Sequence, residues 1–105
     1  HARQFSFLMN RAGIWRLAPA YDLTFAAGPG GEHSTSVLGH GKNITRDHLL
    51  KLAGEADLNE KSASELIDRV ATAIGEWRRF AADAGVTRKS ASEIAQKLAD
   101  VRVWV

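Results

Sequence analysis

The chain has 105 residues, of which 45% are hydrophobic and 25% are charged, and its formal net charge is +2. This composition is typical of a globular protein, and the length sets an upper limit of one domain. The chain has no cysteine, which excludes disulfides and thiolate chemistry, and its basic residues alternate with acidic ones, which indicates a solvated surface rather than a nucleic-acid-binding face.

The chain begins at His1 without a methionine, and residues 4–9 already have the pattern of a strand. We therefore expect it to be a piece of a longer protein or a domain without its start. No stretch resembles a signal peptide, and no apolar run approaches the roughly 18–20 residues that cross a bilayer. The expected location is the cytoplasm.

The first predicted element is a β-hairpin. Residues 4–9 (QFSFLM) alternate between two faces, and residues 14–17 (IWRL) form a second short apolar run. The connection between them, NRAG, contains the Asn and Gly that short hairpin loops favour. Pro19 has no amide hydrogen to give to a strand ladder, so we expect the second strand to end before it.

Glycine and polar residues dominate the next part of the chain. Residues 26–43 (AAGPGGEHSTSVLGHGKN) have the composition of a loop, with room for one short strand at 34–38. The GPGG stretch matches neither the phosphate loop of nucleotide hydrolases nor the dinucleotide-binding fingerprint. Pro29 also removes one backbone donor from such a cradle, so we interpret this stretch as a flexible connection.

Helical periodicity begins after residue 43. Thr45 is the predicted N-cap of a helix over residues 46–56, and Asn59 is the predicted N-cap of a long helix that reaches Ala84. Gly85 is expected to end that long helix, because glycine adopts the left-handed conformation that terminates helices. Thr87 is the predicted N-cap of a third helix.

These elements predict an α+β fold that is mainly α, with an N-terminal β-hairpin and a Gly-rich loop on a three-helix body. The predicted boundary divides residues 1–43, the hairpin and loop, from residues 44–105, the helical body. No repeat or low-complexity tract is present.

The histidines and hydroxyls do not form a recognisable catalytic motif. The four histidines lack the spacing and the cysteine partners of a zinc signature, and they are interpreted as surface or loop residues: His1, His33, His40 and His48. The serines and threonine after His33 lack the context of a nucleophile elbow and are interpreted as polar strand or turn residues.

Asp22 is the most informative single residue, because it follows an apolar run and precedes a glycine-rich loop. Two interpretations of it remain open on the sequence alone. Its carboxylate either bonds a nearby backbone amide and forms a turn, or it is a ligand for a metal ion.

Two separated motifs and the loop after them give the chain a family resemblance. The segments HARQFSFLM, LAPAYDLT, GGEHSTSV and GKN occur in this order, between His1 and about residue 52. In this arrangement the chain resembles the C-terminal lobe of HipA-like serine/threonine kinases, the toxins of HipBA-type toxin–antitoxin pairs. The resemblance implies that the fold is part of the C-lobe of a protein-kinase-like fold and that residues 1–43 include the active-site loop.

The resemblance also implies roles for individual residues. In the family, the catalytic loop reads D-x-H-x-x-N, so His1 takes the histidine position and Gln4 takes that of the magnesium-binding asparagine. The catalytic Asp would lie two residues before His1. Asp22 takes the place of the magnesium-holding Asp of the kinase DFG motif, and we expect the hairpin to bring Gln4 and Asp22 to one place.

Two positions depart from the family pattern. Gln4 stands where the family has Asn, and its side chain is one methylene longer, so it must fold back or displace a water to reach a magnesium ion. Arg3 stands where many members carry Lys, and it keeps a positive charge beside the phosphates. Arg3 is therefore compatible with a cofactor-binding role.

Further implications concern cofactors and partners. The parent protein would use ATP and Mg²⁺ to phosphorylate a Ser or Thr hydroxyl of a protein substrate, and a HipB-like antitoxin would link it indirectly to DNA, with no membrane partner. The 105 residues alone are expected to be inactive and to bind neither cofactor tightly, because the catalytic Asp and the ATP-binding lobe are not among them.

An alternative function of a different class rests on residues 80–98. Their pattern, with Gly85 between two helical segments, fits a helix-turn-helix, and Arg88 and Lys89 would lie at the start of a recognition helix. The length of the predicted preceding helix and the negative charge of Glu93 argue against DNA reading. A third interpretation makes the helical half a protein-interaction surface. Trp104 either packs onto other parts of the parent protein or onto a neighbouring copy, or it folds back on its own core.

Overall fold

The computed structural model describes residues 2–26 and 28–101. By the contacts between its residues, the chain divides into two compact units, His1–Thr35 and Ser36–Val105. The first contains a two-stranded antiparallel sheet and the second contains the helices. The predicted fold class, α+β and mainly α, is confirmed.

The hairpin consists of β1 (Phe7–Met9) and β2 (Trp15–Leu17), paired antiparallel with Phe7 opposite Leu17 and Met9 opposite Trp15. The predicted hairpin is therefore present, but the first strand is shorter than expected. Its predicted start is instead a short 3-10 turn, Ala2–Gln4. Gln4 consequently lies outside the strand ladder, at the end of a turn.

The hairpin connection is closed by Asn10. Its Oδ1 accepts hydrogen bonds from the backbone N–H of Ala12 at 2.9 Å and of Ile14 at 3.0 Å, and its own N–H donates to the Ile14 carbonyl at 3.0 Å. Gly13 has a φ of 78°, a conformation that glycine adopts without steric cost. The NRAG connection is therefore closed by its Asn and its Gly, the two residue types from which the hairpin loop was predicted.

The strand expected at residues 34–38 does not form. Val37 and His40 make an isolated antiparallel bridge around a tight turn instead, with Gly39 at a φ of 82°. A second 3-10 turn, Pro29–Gly31, lies upstream in the glycine-rich loop. The glycines in this segment favour turns over an extended ladder, which is why the prediction of a strand was wrong.

The helical unit contains α1 (Arg46–Glu55), α2 (Glu60–Gly75), α3 (Trp77–Asp83) and α4 (Arg88–Ala99). All three predicted N-caps are confirmed. The Thr45 Oγ1 accepts from the N–H of His48 while the His48 Nδ1 accepts from the N–H of Thr45, and the Asn59 Oδ1 accepts from the N–H of Ser62 at 2.8 Å. Thr87 accepts from the N–H of Ser90 at 3.2 Å.

The long helix predicted from Asn59 to Ala84 is two helices, so the body has four helices among the described residues rather than three. The break falls at Glu76, directly after Gly75, the residue with the least helix propensity in this region. After the break, the indole N–H of Trp77 donates to the Ala91 carbonyl of α4 at 2.9 Å. This tertiary bond fixes the start of α3 to α4.

Gly85 ends α3, as predicted. Its φ is 71°, and the next N–H, that of Val86, donates to the Ala81 carbonyl at 2.8 Å, which is the hydrogen bond of a Schellman motif. The core of the helical unit is small, and among the described residues it consists of Ala53, Ala63, Ile67 and Ala81. Trp104 lies outside the described residues.

Candidate functional site

The candidate site lies beyond the last bond of the hairpin. The Ala18 N–H donates to the Ser6 carbonyl at 2.8 Å, and Pro19 then prevents a further ladder bond. The chain continues as an irregular segment that carries Tyr21 and Asp22 back toward the 3-10 turn at Arg3 and Gln4. The hairpin thus supplies the rigid part, and two short non-ladder segments supply the functional side chains.

Gln4 and Asp22 are brought together, as the sequence predicted. The Nε2 of Gln4 donates to the Asp22 backbone carbonyl at 2.8 Å and lies 3.4 Å from its Oδ2. Because a carbonyl oxygen only accepts hydrogen bonds, the amide group that faces it must be the NH₂ end. In this arrangement Gln4 therefore orients Asp22 as a donor, and its amide oxygen points elsewhere.

Asp22 has an unusual backbone conformation. Its φ is 52°, in the left-handed region that costs energy for most residues other than glycine and that Asp tolerates better than most. The Thr24 N–H donates to the Asp22 carbonyl at 3.1 Å. Strained residues of this kind concentrate at functional sites, where the surrounding hydrogen bonds hold them in place.

The turn at Asp22 is formed by its backbone and not by its carboxylate. Within residues 2–26 and 28–101, the hydrogen bond to the Asp22 carboxylate comes from the Gln4 side chain, and the local backbone bond of the turn uses the Asp22 carbonyl. The turn thus does not need the carboxylate. The carboxylate oxygens therefore keep acceptor capacity for a positively charged ligand.

Asp22 and Gln4 line a groove of about 470 Å³ within the hairpin unit. The lining of the groove includes further polar residues and comprises Gln4, Asp22, Leu23, Thr24, Ala26, Gly28, Glu32, His33, Ser34 and Thr35. The sequence analysis assigned no individual role to the second half of this set, although part of it belongs to the GGEHSTSV segment of the family resemblance. Their place in the same groove as Asp22 depends on the course of the loop, which no local motif specifies.

The donor set limits what kind of cation the groove could take. In the described part of the chain, no group of three or more His, Cys, Asp or Glu side chains is arranged to hold a metal ion. A zinc-type cage is therefore not formed by these residues. Mg²⁺ differs, because it commonly binds through one or two carboxylates and completes its shell with waters and substrate phosphates. A single well-oriented carboxylate such as Asp22 fits that requirement.

The other two predicted site residues have different outcomes. Arg3 is exposed and lies one residue before Gln4, where its backbone carbonyl accepts a hydrogen bond from the Tyr21 hydroxyl at 3.0 Å. His1 lies outside the described residues. Tyr21 itself was not singled out from the sequence, although it belongs to the LAPAYDLT segment that carries the family resemblance.

Two of the remaining histidines have a structural role. The rings of His40 and His48 stack with their centroids 4.3 Å apart, and His48 completes the capping box of α1. His40 is exposed in a loop, as interpreted from the sequence, whereas His48 is half-buried in α1, because its ring completes the cap of that helix.

The corner between α3 and α4 bears on the helix-turn-helix alternative. The helix before Gly85 has only 7 residues, so the objection that this helix is too long no longer holds. A groove of about 290 Å³ at the corner is lined by both Arg78 and Arg88. Neither guanidinium forms an ion pair within residues 2–26 and 28–101, whereas the neighbouring Arg79 is bound to Glu76 and Asp83.

Comparison with known proteins gives one match. The family model described as the HipA-like C-terminal domain matches residues 1–104. No curated protein and no solved structure matches the chain. Separately, none of the helices in the described residues is both long enough and apolar enough to span a membrane.

Proposed function

The chain belongs to the family of HipA-like C-terminal domains, and from this premise we propose that it forms the magnesium-holding part of a protein serine/threonine kinase. The observation that carries the proposal is the placement of Asp22. Asp22 lines a groove, its backbone is held in the left-handed region, and the Gln4 amide donates to its backbone carbonyl.

The proposed role of Asp22 is to hold a magnesium ion against the phosphates of ATP. When bound, Mg²⁺ neutralises the charge that develops on the transferred phosphoryl group. Gln4 would keep the Asp22 carboxylate directed at the groove, and Arg3 would add positive charge near the phosphates. For Gln4 to be a ligand itself, its amide would have to rotate so that its oxygen replaces the nitrogen that now faces Asp22.

The proposed reaction is a phosphoryl transfer. The hydroxyl oxygen of a Ser or Thr in a protein substrate forms a bond to the γ-phosphorus of ATP, and the bond from this phosphorus to the bridging oxygen of ADP breaks. The hydroxyl proton passes to the catalytic Asp that the family pattern predicts two residues before His1. His1 would belong to the same catalytic loop.

The biological setting proposed here follows from the family. The kinase would be the toxin of a toxin–antitoxin pair in the cytoplasm, bound by a HipB-like antitoxin that makes the contacts to DNA. The substrate would be a protein with an accessible hydroxyl. The 105 residues without the rest of a kinase are expected to show no phosphoryl transfer from ATP.

The test uses the full-length protein, radiolabelled ATP and Asp22→Ala. We expect phosphoryl transfer to fall by at least about 100-fold, because the metal clamp contributes a large share of the transition-state stabilisation. Asp57→Ala is a matched control, since Asp57 is also an exposed aspartate with positive φ, at 55°, but lies in the helical unit. Full activity of Asp22→Ala would overturn the proposal.

A second candidate function is DNA binding by α3 and α4. The short α3 and the two arginines at the corner, which form no ion pair within the described part of the chain, favour it. This function predicts that Arg88→Ala combined with Lys89→Ala abolishes salt-dependent binding of the protein to duplex DNA. Lys61→Ala on α2 should leave binding unchanged. Absence of salt-dependent binding in the unmodified protein would remove this candidate.

A further inference from the structure

The Tyr21 hydroxyl joins the two segments that meet at the candidate site. It donates a hydrogen bond to the Arg3 carbonyl at 3.0 Å, and it lies 2.7 Å from the Ser6 Oγ. Arg3 belongs to the 3-10 turn and Ser6 directly precedes β1. The hydroxyl thus bonds to both sides of the junction between the 3-10 turn and β1, although Tyr21 is 15 residues from Ser6 and 18 residues from Arg3 in the sequence.

The direction of both hydrogen bonds can be deduced. A phenol has one proton, and the Arg3 carbonyl can only accept, so Tyr21 must give its proton to Arg3. The Ser6 hydroxyl must then donate to the Tyr21 oxygen. The hydrogen-bond chain therefore runs from the Ser6 hydroxyl to the Tyr21 hydroxyl and from there to the Arg3 carbonyl, and each hydroxyl proton in it has an acceptor.

This bridge runs parallel to the bonds that hold Asp22. The Tyr21 hydroxyl donates to the carbonyl of Arg3. The side-chain amide of Gln4, the next residue of the turn, donates to the carbonyl of Asp22. Two adjacent residues of one segment are therefore cross-linked to two adjacent residues of the other. Loss of the hydrogen bond between Tyr21 and Arg3 would let the 3-10 turn shift. The hydrogen bond between Gln4 and Asp22 would then become longer.

We propose that the Tyr21 hydroxyl is a positioning group that keeps the Asp22 carboxylate directed at the groove. It acts through Arg3 and Gln4 and does not itself touch the reacting atoms. The inference rests on the proposed function in one respect, namely that Asp22 binds a divalent cation. The left-handed backbone of Asp22 is the reason why positioning matters, because a residue in a strained conformation relaxes when its supports are removed.

The first experiment measures Mn²⁺ binding to the full-length protein by electron paramagnetic resonance of the free ion. Tyr21→Phe removes only the hydroxyl, and the ring keeps its place beside Phe5, Leu17 and Pro19 in a small apolar cavity. We expect the affinity for Mn²⁺ to fall about three- to tenfold, the range that one lost hydrogen bond produces. Asp22→Asn serves as the reference for complete loss of the site.

The outcomes separate the inference from the proposed function. If Asp22→Asn removes Mn²⁺ binding and Tyr21→Phe does not change it, the positioning role is overturned while the metal site stands. If Asp22→Asn leaves Mn²⁺ binding unchanged, the metal site itself is wrong. In the kinase assay, Tyr21→Phe should raise the Mg²⁺ concentration for half-maximal rate, and excess Mg²⁺ should restore the rate, which a general folding defect would not allow.

A second measurement does not depend on the metal. The side-chain amide of Gln4 should show slowed hydrogen exchange in NMR spectra, and this protection should fall in both Tyr21→Phe and Ser6→Ala. The double variant should lose little more than Tyr21→Phe alone, because both changes break the same bridge. Ser92→Ala on α4 is the matched control. Unchanged Gln4 protection in Tyr21→Phe would overturn the inference.

Discussion

In the helical unit Ile67 is 8% exposed, whereas in the hairpin unit Leu8 is 60% exposed and every side chain of both strands is exposed. The hairpin unit is ordered instead by directional bonds: the Asn10 turn, the Tyr21 bridge and the Gln4 contact with Asp22. The helical unit thus combines a buried core with hydrogen bonds, whereas the hairpin unit depends on hydrogen bonds without buried side chains among its described residues. Three pairs of matched substitutions can test this difference between the units, and each pair has one substitution in the helical unit and one in the hairpin unit.

The largest expected difference concerns apolar truncation. Ile67→Ala should lower the free energy of unfolding by about 2–4 kcal/mol, because it removes buried methylenes and leaves a cavity in a small core. Leu8→Ala should change it by no more than about 0.5 kcal/mol, as for an exposed position. Urea unfolding followed by circular dichroism measures both. Equal losses would contradict this difference between the units, since they would mean that Leu8 is buried in solution.

The sequence predicted the starts of α1, α2 and α4 well, because an N-cap depends on local chemistry. Thr45, Asn59 and Thr87 each bond an amide three residues ahead, which is within reach of a sequence pattern. The break at Glu76 was missed because the apolar period continues through Ile74 and Trp77. The bond from Trp77 to Ala91, 14 residues away, fixes the start of α3, and no local pattern contains it.

The candidate site shows the same limit. The family resemblance and the hairpin together predicted that Gln4 and Asp22 meet. They did not predict the donor role of Gln4 or the Tyr21 bridge, because both depend on the 3-10 turn that replaces the expected start of the first strand. Local patterns thus predict which segments meet, whereas the atoms that bond depend on the conformation of the junction.

The second pair removes an asparagine side chain from each unit. Asn59→Ala should lower the free energy of unfolding by about 1 kcal/mol, because it removes the cap of α2. Asn10→Ala should leave the unfolding of the helices unchanged. It should speed hydrogen exchange at the backbone amide of residue 10 by roughly tenfold, because the turn opens locally. Circular dichroism and NMR exchange measure the two effects. Loss of helix stability in Asn10→Ala would show that the two units unfold together.

The third and smallest effect differs in sign between the units. Gly54 lies inside α1 with nothing within 4 Å of an added Cβ, and its φ is not positive. Gly54→Ala should therefore raise the free energy of unfolding by about 0.5–1 kcal/mol, since alanine restricts the unfolded chain and favours helix. Gly13 also has open space around an added Cβ, but its φ is 78°.

Gly13→Ala should for this reason destabilise the hairpin by about 1 kcal/mol, purely through backbone conformation. The measurement is the exchange rate of the Asn10 amide, which bonds across the turn to Ile14. Gly13→Asn is the matched control, because Asn tolerates the left-handed region and should cost less than Ala. If Ala and Asn weaken the hairpin equally, the turn in solution does not use a positive φ at residue 13, and the bonds of Asn10 cannot be what closes it.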